Sequence, residues 1–177
     1  GKGLSVRRGV RPEECAGLLD YNQAQLRELL TQYGKIDILF FDGHSDGLRE
    51  VCWEMDPDIV VTRGAMPTPE QQIPGIQSTE PWEACVTMGT GWQYKPTNEQ
   101  YKTGTQLIEL LIETRAKGGN LLLNVGPKPD GELPIEQEAL LREMALWNFV
   151  NGEAIHGVRP WRIPNEGDVW FTAAKDE

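Results

Sequence analysis

Residues 36–43 read Ile36-Asp37-Ile38-Leu39-Phe40-Phe41-Asp42-Gly43, a short apolar run that ends in a carboxylate and a glycine. Its length, its apolar character and the turn residues around it predict a buried strand over Ile36–Phe41. A helix capped by Gly34 is predicted before it, because apolar residues follow helical spacing at Leu19, Leu26, Leu30 and Tyr33. Asp42 then lies at the carboxyl end of the strand, where α/β barrels carry their catalytic groups.

A second run of the same kind reads Lys117-Gly118-Gly119-Asn120-Leu121-Leu122-Leu123-Asn124-Val125-Gly126-Pro127. It predicts a strand over Leu121–Val125, and shorter strands are predicted over Ile59–Thr62 and Glu83–Met88. Helices are predicted after Thr103, which begins a capping box with Gln106, and after Pro134. The intervening residues 65–82 hold too many prolines for a helix. Helices that alternate with apolar strands indicate an α/β fold with a parallel sheet.

The chain has 177 residues, which is fewer than the ~250 that a closed eight-stranded barrel typically takes. We therefore predict that residues 1–161 are the C-terminal portion of a (β/α)8-like TIM barrel whose N-terminal half is missing. The pattern changes after Trp161, where residues 168–172 alternate like the first strand of a different, all-β domain. Residues 162–177 are therefore predicted to begin a second domain that is truncated here.

The composition excludes several classes of function. A net charge of −10 argues against a nucleic-acid partner, because phosphates require a basic surface. No apolar stretch approaches the ~20 residues that span a bilayer, so no membrane insertion is expected. Two histidines and three widely spaced cysteines do not suggest a metal site. The glycines at 118, 119 and 126 lack the order of a phosphate-binding loop, which argues against a nucleotide cofactor.

Carboxylates and aromatic residues remain as the candidates for chemistry. A glycosidase needs two carboxylates, which stand about 5–5.5 Å apart in retaining enzymes. Asp42 can supply one, or it can be an ordinary turn aspartate. Glu70 and Glu83 can supply the other, or they can be surface charges. Arg63 follows the second strand, where it can form a rim salt bridge or lie beside Asp42 and favour its ionised form. The aromatic residues near the carboxylates suit either a sugar ring or a core: Trp82, Trp92 and Tyr94.

These motifs together resemble the α-L-fucosidases of glycoside hydrolase family 29. The resemblance runs from about Tyr21 to Trp161. It rests first on residues 25–34, which lead into Phe41-Asp42-Gly43, and on the two long motifs at 117–127 and 150–161. Shorter matches lie between them: Thr68-Pro69-Glu70-Gln71, Trp82-Glu83-Ala84-Cys85 and Gly91-Trp92-Gln93-Tyr94.

The resemblance implies a barrel catalytic domain followed by a β-sandwich, which residues 162–177 would begin. It implies a retaining exo-glycosidase in fucose metabolism, acting on terminal α-L-fucose of fucosylated glycans with no metal or organic cofactor. Asp42 matches the nucleophile, and Glu70 is the first choice for the acid/base. Glu83 is the second choice, with a structural role as its alternative. The substrate-binding positions implied are Phe40, Arg63 and Trp92.

The family takes further sugar-binding residues from the first half of its barrel, and this sequence does not contain that half. A rival interpretation is therefore a truncated or degenerate product that binds sugar weakly and does not catalyse. We expect the 177 residues alone to be inactive for the same reason. Family members suggest a secreted, periplasmic or lysosomal-type location.

Overall fold

The computed structural model describes residues 12–175. The chain divides into two compact units, Gly1–Pro67 and Thr68–Glu177. In both units parallel strand pairs alternate with helices, which confirms the α/β fold and the parallel pairing predicted from the sequence. None of the helices within residues 12–175 is long and apolar enough to cross a membrane.

The first unit contains two helices and one pair of parallel strands. The elements are α1 at Pro12–Gln32, β1 at Ile38–Leu39, α2 at Arg49–Met55 and β2 at Val60–Val61. Ile38 pairs with Val60 and Leu39 with Val61. Backbone hydrogen bonds extend this pairing toward the carboxyl ends, from Thr62 N to Leu39 O at 2.9 Å and from Phe41 N to Arg63 O at 3.0 Å.

Only one face of this strand pair is buried within the described residues. The helices cover it with an apolar core of Leu26, Val51, Cys52, Ile59 and Val61, against which Leu39 and Phe41 pack. The opposite face leaves Ile38 at 61%, Val60 at 47% and Phe40 at 38% exposure. The prediction of a buried strand therefore holds for one face, because the helices lie on that side alone. Parallel strands are normally covered on both faces.

The second unit begins its regular structure with a buried strand. Its elements are β3 at Glu83–Thr87, α3 at Gly104–Ala116, β4 at Asn120–Asn124, α4 at Ile135–Asn151, β5 at Val158–Glu166 and β6 at Val169–Ala174. Strands β3 and β4 are parallel and pair from Glu83 with Asn120 to Thr87 with Asn124. Helix α3 starts with the predicted capping box, in which Gln106 N donates to Thr103 Oγ1 at 3.2 Å and Thr103 N donates to Gln106 Oε1 at 2.9 Å.

The β3–β4 pair has two different faces. Trp82, Ala84 and Val86 pack with Leu110 of α3 and Leu121 of β4, so this face turns toward the helix. Side chains alternate along a strand. The other face therefore carries the registered pairs Glu83–Asn120, Cys85–Leu122 and Thr87–Asn124, and most of these side chains are polar.

Strands β5 and β6 form an antiparallel hairpin with a register shift between Pro160 and Asn165. The sequence predicts a strand at residues 168–172, and the hairpin contains this strand as β6, shifted to Val169–Ala174. Strand β5 was not predicted, and it runs across residue 161, where the sequence places its domain boundary. The assignment of residues 162–177 to a following β-sandwich stays a prediction.

Candidate active site

Asp42 and Arg63 lie side by side at one edge of the first unit. Parallel strands bring their carboxyl ends to the same edge, and the bond from Phe41 N to Arg63 O aligns the two strand ends. Arg63 Nη1 lies 3.6 Å from Asp42 Oδ1, and the Asp42 side chain is 83% exposed. The Arg63 guanidinium also lies over the Phe40 ring, 5.6 Å from its centroid. The structure thus brings together Phe40, Asp42 and Arg63, and their roles at a sugar-binding site stay a prediction.

A second layer of contacts holds the two strand ends together. Ser45 is buried, and its hydroxyl donates to Gly64 O at 2.7 Å, while Arg49 Nη1 donates to the same oxygen at 2.9 Å. Gly64 has φ of +106°, and a Cβ there would lie 2.8 Å from Ser45 Cβ. Glycine is therefore required for the two loops to meet. Sequence reasoning missed Ser45 and Arg49. The available signal was Gly64, which directly follows Arg63, because a glycine at the end of a strand often marks a place where another segment packs against the backbone.

Glu70 lies in the second unit, where a single β-bridge fixes its backbone. Cys85 N donates to Pro69 O and Gln71 N donates to Cys85 O, each at 2.9 Å, so residues 69–71 run parallel to β3 along its edge. Paired residues of a ladder direct their side chains to the same face. Glu70 is therefore on the polar face of β3, and its side chain is exposed.

Glu83 occupies a different place on the same strand. It is the first residue of β3 and 5% exposed, and its Oε2 accepts from Asn120 Nδ2 at 2.6 Å. The carboxyl end of β3 lies four residues further on, about 13 Å away at 3.3 Å per residue. Catalytic groups of α/β barrels lie at carboxyl ends. The position of Glu83 thus favours the structural role over the catalytic one.

Trp92 lies in the loop after β3 and is 40% exposed. The Glu99 carboxylate orders this loop, because it accepts from Thr90 N and Thr90 Oγ1 at 2.8 Å and from Gln100 N at 3.0 Å. The bonds from Thr90, first that of its backbone N–H, lower the pKa of Glu99. The carboxylate therefore stays charged and keeps these bonds down to a more acidic pH than an ordinary glutamate would.

Gly126 supports the same loop from the end of β4. A Cβ on Gly126 would lie 2.7 Å from Tyr94 N and 2.9 Å from the Gln93 carbonyl carbon, so the loop backbone rests directly on this glycine. The Gly126 N–H donates to Gln137 Oε1 at 2.9 Å, which ties the turn to α4. Gly126, at the end of the second apolar run of the sequence, thus allows the backbone of residues 93–94 to pack directly against it.

We expect Gly126→Ala to displace the loop that carries Trp92. Both obstructing atoms are backbone, so they cannot rotate away, and such overpacking costs about 1–3 kcal/mol. The melting temperature should fall, and KM for a ligand that contacts Trp92 should rise. Gly75→Ala is the matched control, because nothing lies within 4 Å of a Cβ at Gly75. A Gly126→Ala protein that melts and binds like the Gly75→Ala control would contradict this account of the loop.

The six candidate residues fall in separate units, with Phe40, Asp42 and Arg63 in the first and Glu70, Glu83 and Trp92 in the second. Within residues 12–175 no group of three or more His, Cys, Asp and Glu side chains is placed to hold a metal ion. Cys52 and Cys85 are both buried, and the side chain of Cys15 lies outside the described residues.

Comparison with known proteins identifies alpha-L-fucosidases as relatives. The family model described as alpha-L-fucosidase matches residues 16–153. Plasma alpha-L-fucosidase of Rattus norvegicus is 40% identical over 110 residues, which cover 59% of this chain and 24% of the rat protein. Tissue alpha-L-fucosidase of Mus musculus is 41% identical over 98 residues, or 51% of this chain and 22% of the mouse protein.

Solved structures give a longer match. Alpha-L-fucosidase isoenzyme 1 from Paenibacillus thiaminolyticus superposes with a TM-score of 0.84 at 30% identity, over 94% of this chain and 47% of that chain. A GH29 alpha-L-fucosidase from Bacteroides thetaiotaomicron, solved as a trapped covalent intermediate, gives a TM-score of 0.85 at 19% identity, with 94% and 48% coverage. The matched part of this chain thus spans about a quarter of the curated relatives and about half of the solved chains.

Proposed function

Because this chain belongs to the α-L-fucosidase family, we propose that it is part of the catalytic domain of a retaining exo-glycosidase that hydrolyses terminal α-L-fucose. The observation that carries the proposal is the position of Asp42. Its carboxylate ends a strand, is open to solvent and lies 3.6 Å from the Arg63 guanidinium. A retaining glycosidase needs a carboxylate that the anomeric carbon can reach, and α/β barrels carry such groups at the carboxyl ends of their strands.

In the proposed first step, an Asp42 oxygen attacks the anomeric carbon of fucose while the bond from that carbon to the leaving oxygen breaks. Glu70 donates its proton to the leaving oxygen, so the aglycone departs as an alcohol and fucose remains esterified to Asp42. In the second step, Glu70 accepts a proton from water, whose oxygen attacks the same carbon and displaces Asp42. Two inversions give net retention, and both carboxyl groups return to their starting states.

The remaining residues have supporting roles in this proposal. Arg63 compensates the negative charge that returns to Asp42 when the ester is cleaved. Phe40 and Trp92 present aromatic surface to the apolar face of the sugar. Glu83 binds Asn120 at the amino end of β3 and thereby ties β3 to β4.

The strand faces that the helices leave uncovered support the proposal that this chain is part of a TIM barrel. Ile38 and Val60 in the first unit and Leu122 in the second are large apolar side chains on faces that the helices do not cover. In a (β/α)8 barrel the face opposite the helices is the barrel interior, which layers of such side chains fill. We therefore propose that residues 1–161 contribute strands to a TIM barrel.

The stereochemistry of the first product tests the proposed mechanism. We expect the complete gene product to release α-L-fucose first from an aryl α-L-fucoside, with the β-anomer appearing later by mutarotation. Proton NMR of the anomeric signals during the first minutes distinguishes the two. Release of β-L-fucose first would show an inverting mechanism, and no turnover at all would favour the non-catalytic alternative.

A further inference from the structure

Gln71 has a backbone conformation that glutamine rarely adopts. Its φ is +57°, in the left-handed region where a side chain approaches the preceding carbonyl group. Such a conformation costs about 1–3 kcal/mol and persists only where the surroundings impose it. Gln71 directly follows Glu70, so the strained residue is next to the proposed acid/base.

The contacts of Gln71 show what imposes this conformation. Its backbone N–H donates to Cys85 O at 2.9 Å. Its side-chain Nε2 donates to Thr87 Oγ1 at 2.9 Å, and its Oε1 accepts from Thr87 N at 3.2 Å. Thr87 is 2% exposed, and its hydroxyl donates to Gly89 O at 2.7 Å. If residues 69–71 continued as a strand along β3, a backbone carbonyl would accept from Thr87 N. The Gln71 side-chain oxygen takes that place.

The two hydrogen bonds between the Gln71 side chain and Thr87 form a clamp that also constrains Glu70, the residue before Gln71. The peptide groups on both sides of Glu70 bind Cys85, through Pro69 O and Gln71 N. The turn at Gln71 takes the chain away from β3 immediately afterwards, so the clamp on Thr87 prevents the short segment from leaving the strand edge. A misplacement of about 1 Å at a catalytic group can cost about 100-fold in rate.

We propose that Gln71 is a positioning residue: its side-chain amide clamps Thr87 and thereby holds Glu70 in the orientation needed for proton transfer. The inference rests on the proposed role of Glu70 as acid/base. Gln71 itself contacts neither the sugar nor the leaving group in this account. Its loss should therefore impair protonation of the leaving oxygen more than attack by the nucleophile.

The test compares Gln71→Gly with the wild type on two substrates, phenyl α-L-fucoside and 2,4-dinitrophenyl α-L-fucoside. Glycine adopts positive φ without strain, so the variant removes the clamp while it relieves the backbone. We expect kcat/KM to fall at least about 10-fold for the phenyl substrate, which needs a proton on its leaving oxygen, and less than about 3-fold for the dinitrophenyl substrate. The loss should be in kcat rather than KM.

Thr87 gives an independent pair of variants. Thr87→Val removes the hydroxyl that accepts from Gln71 and should show the same substrate dependence, whereas Thr87→Ser keeps the hydroxyl and should resemble the wild type. This pair decides the question if Gln71→Gly does not fold. Equal losses on both substrates, or none, would overturn the inference. In that case, the Glu70→Ala variant shows which claim fails. If Glu70→Ala still affects the two substrates differently, Glu70 remains the proposed acid/base and only the positioning role of Gln71 is wrong. If Glu70→Ala affects both substrates equally, the acid/base role of Glu70 and the positioning role of Gln71 are both wrong.

Discussion

Replacement of Asp42 with alanine is expected to lower kcat/KM for an aryl α-L-fucoside by at least about 1,000-fold in the complete gene product. The nucleophile forms the covalent bond on which both chemical steps depend, and losses of this size or larger follow its removal from other enzymes. A loss of 1,000-fold is about 4 kcal/mol of transition-state stabilisation. Stability should change little, because the side chain is 83% exposed and its contact with Arg63 is at the surface.

Asp37→Ala is the matched control for this experiment. Asp37 precedes the same strand at its opposite end and forms an exposed ion pair with Lys35, so its removal should leave the rate close to that of the wild type. Azide adds a stereochemical check. In the Asp42→Ala variant, azide would attack from the side that the carboxylate vacates and give β-L-fucosyl azide. An Asp42→Ala variant with wild-type rate would refute the assignment.

Replacement of Glu70 with alanine is expected to separate substrates by their leaving groups. Hydrolysis of phenyl α-L-fucoside should fall about 100- to 10,000-fold, the usual contribution of a general acid, because phenolate is a poor leaving group without protonation. The first step should change far less for 2,4-dinitrophenyl α-L-fucoside, which departs without a proton. Steady-state kcat/KM on the two substrates measures the difference.

Two other glutamates serve as comparisons for Glu70→Ala. Glu80 is exposed in the same loop, and Glu80→Ala should behave like the wild type. Glu83→Ala removes the acceptor of the Asn120 amide, but Asn120 is exposed and its amide can bind water instead. The expected loss of stability is therefore that of one ordinary hydrogen bond, about 0.5–1.5 kcal/mol, and the variant should not discriminate between the substrates. If Glu83→Ala alone shows the leaving-group dependence, the roles of Glu70 and Glu83 must be exchanged.

The parts of the fold that the sequence predicts are those with strong local signals. The helix after Thr103 has a capping box and a long periodic apolar face, and the strand at Leu121–Val125 has glycines on both sides. Helix α2 has only seven residues, and the spacing of Leu48, Val51 and Cys52 is too short a pattern to predict a helix. Strand β5 contains Pro160 and Pro164, which usually argue against a strand.

The site follows the same division between local and distant signals. Asp42 and Arg63 each follow a recognisable strand, and parallel pairing is enough to bring them together. The clamp of Gln71 on Thr87 joins residues 16 positions apart, and it depends on a β-bridge that no local pattern indicates. The contact of Gly126 with the Tyr94 backbone is likewise tertiary. Sequence reasoning therefore proposes candidate carboxylates but does not find the residues that hold them.

Covalent labelling tests the central claim, that Asp42 is the nucleophile, most directly. The complete gene product would be incubated with 2-fluoro-fucosyl fluoride, whose fluorine slows cleavage of the ester and whose fluoride leaves without a proton. Proteolysis and tandem mass spectrometry then locate the added sugar. We predict a single fluorofucosyl group on the peptide that contains Phe41-Asp42-Gly43, attached to Asp42, and no label in the Asp42→Ala variant. A label on Glu70 or Glu83, or turnover with retention and no labelled carboxylate, would contradict the account.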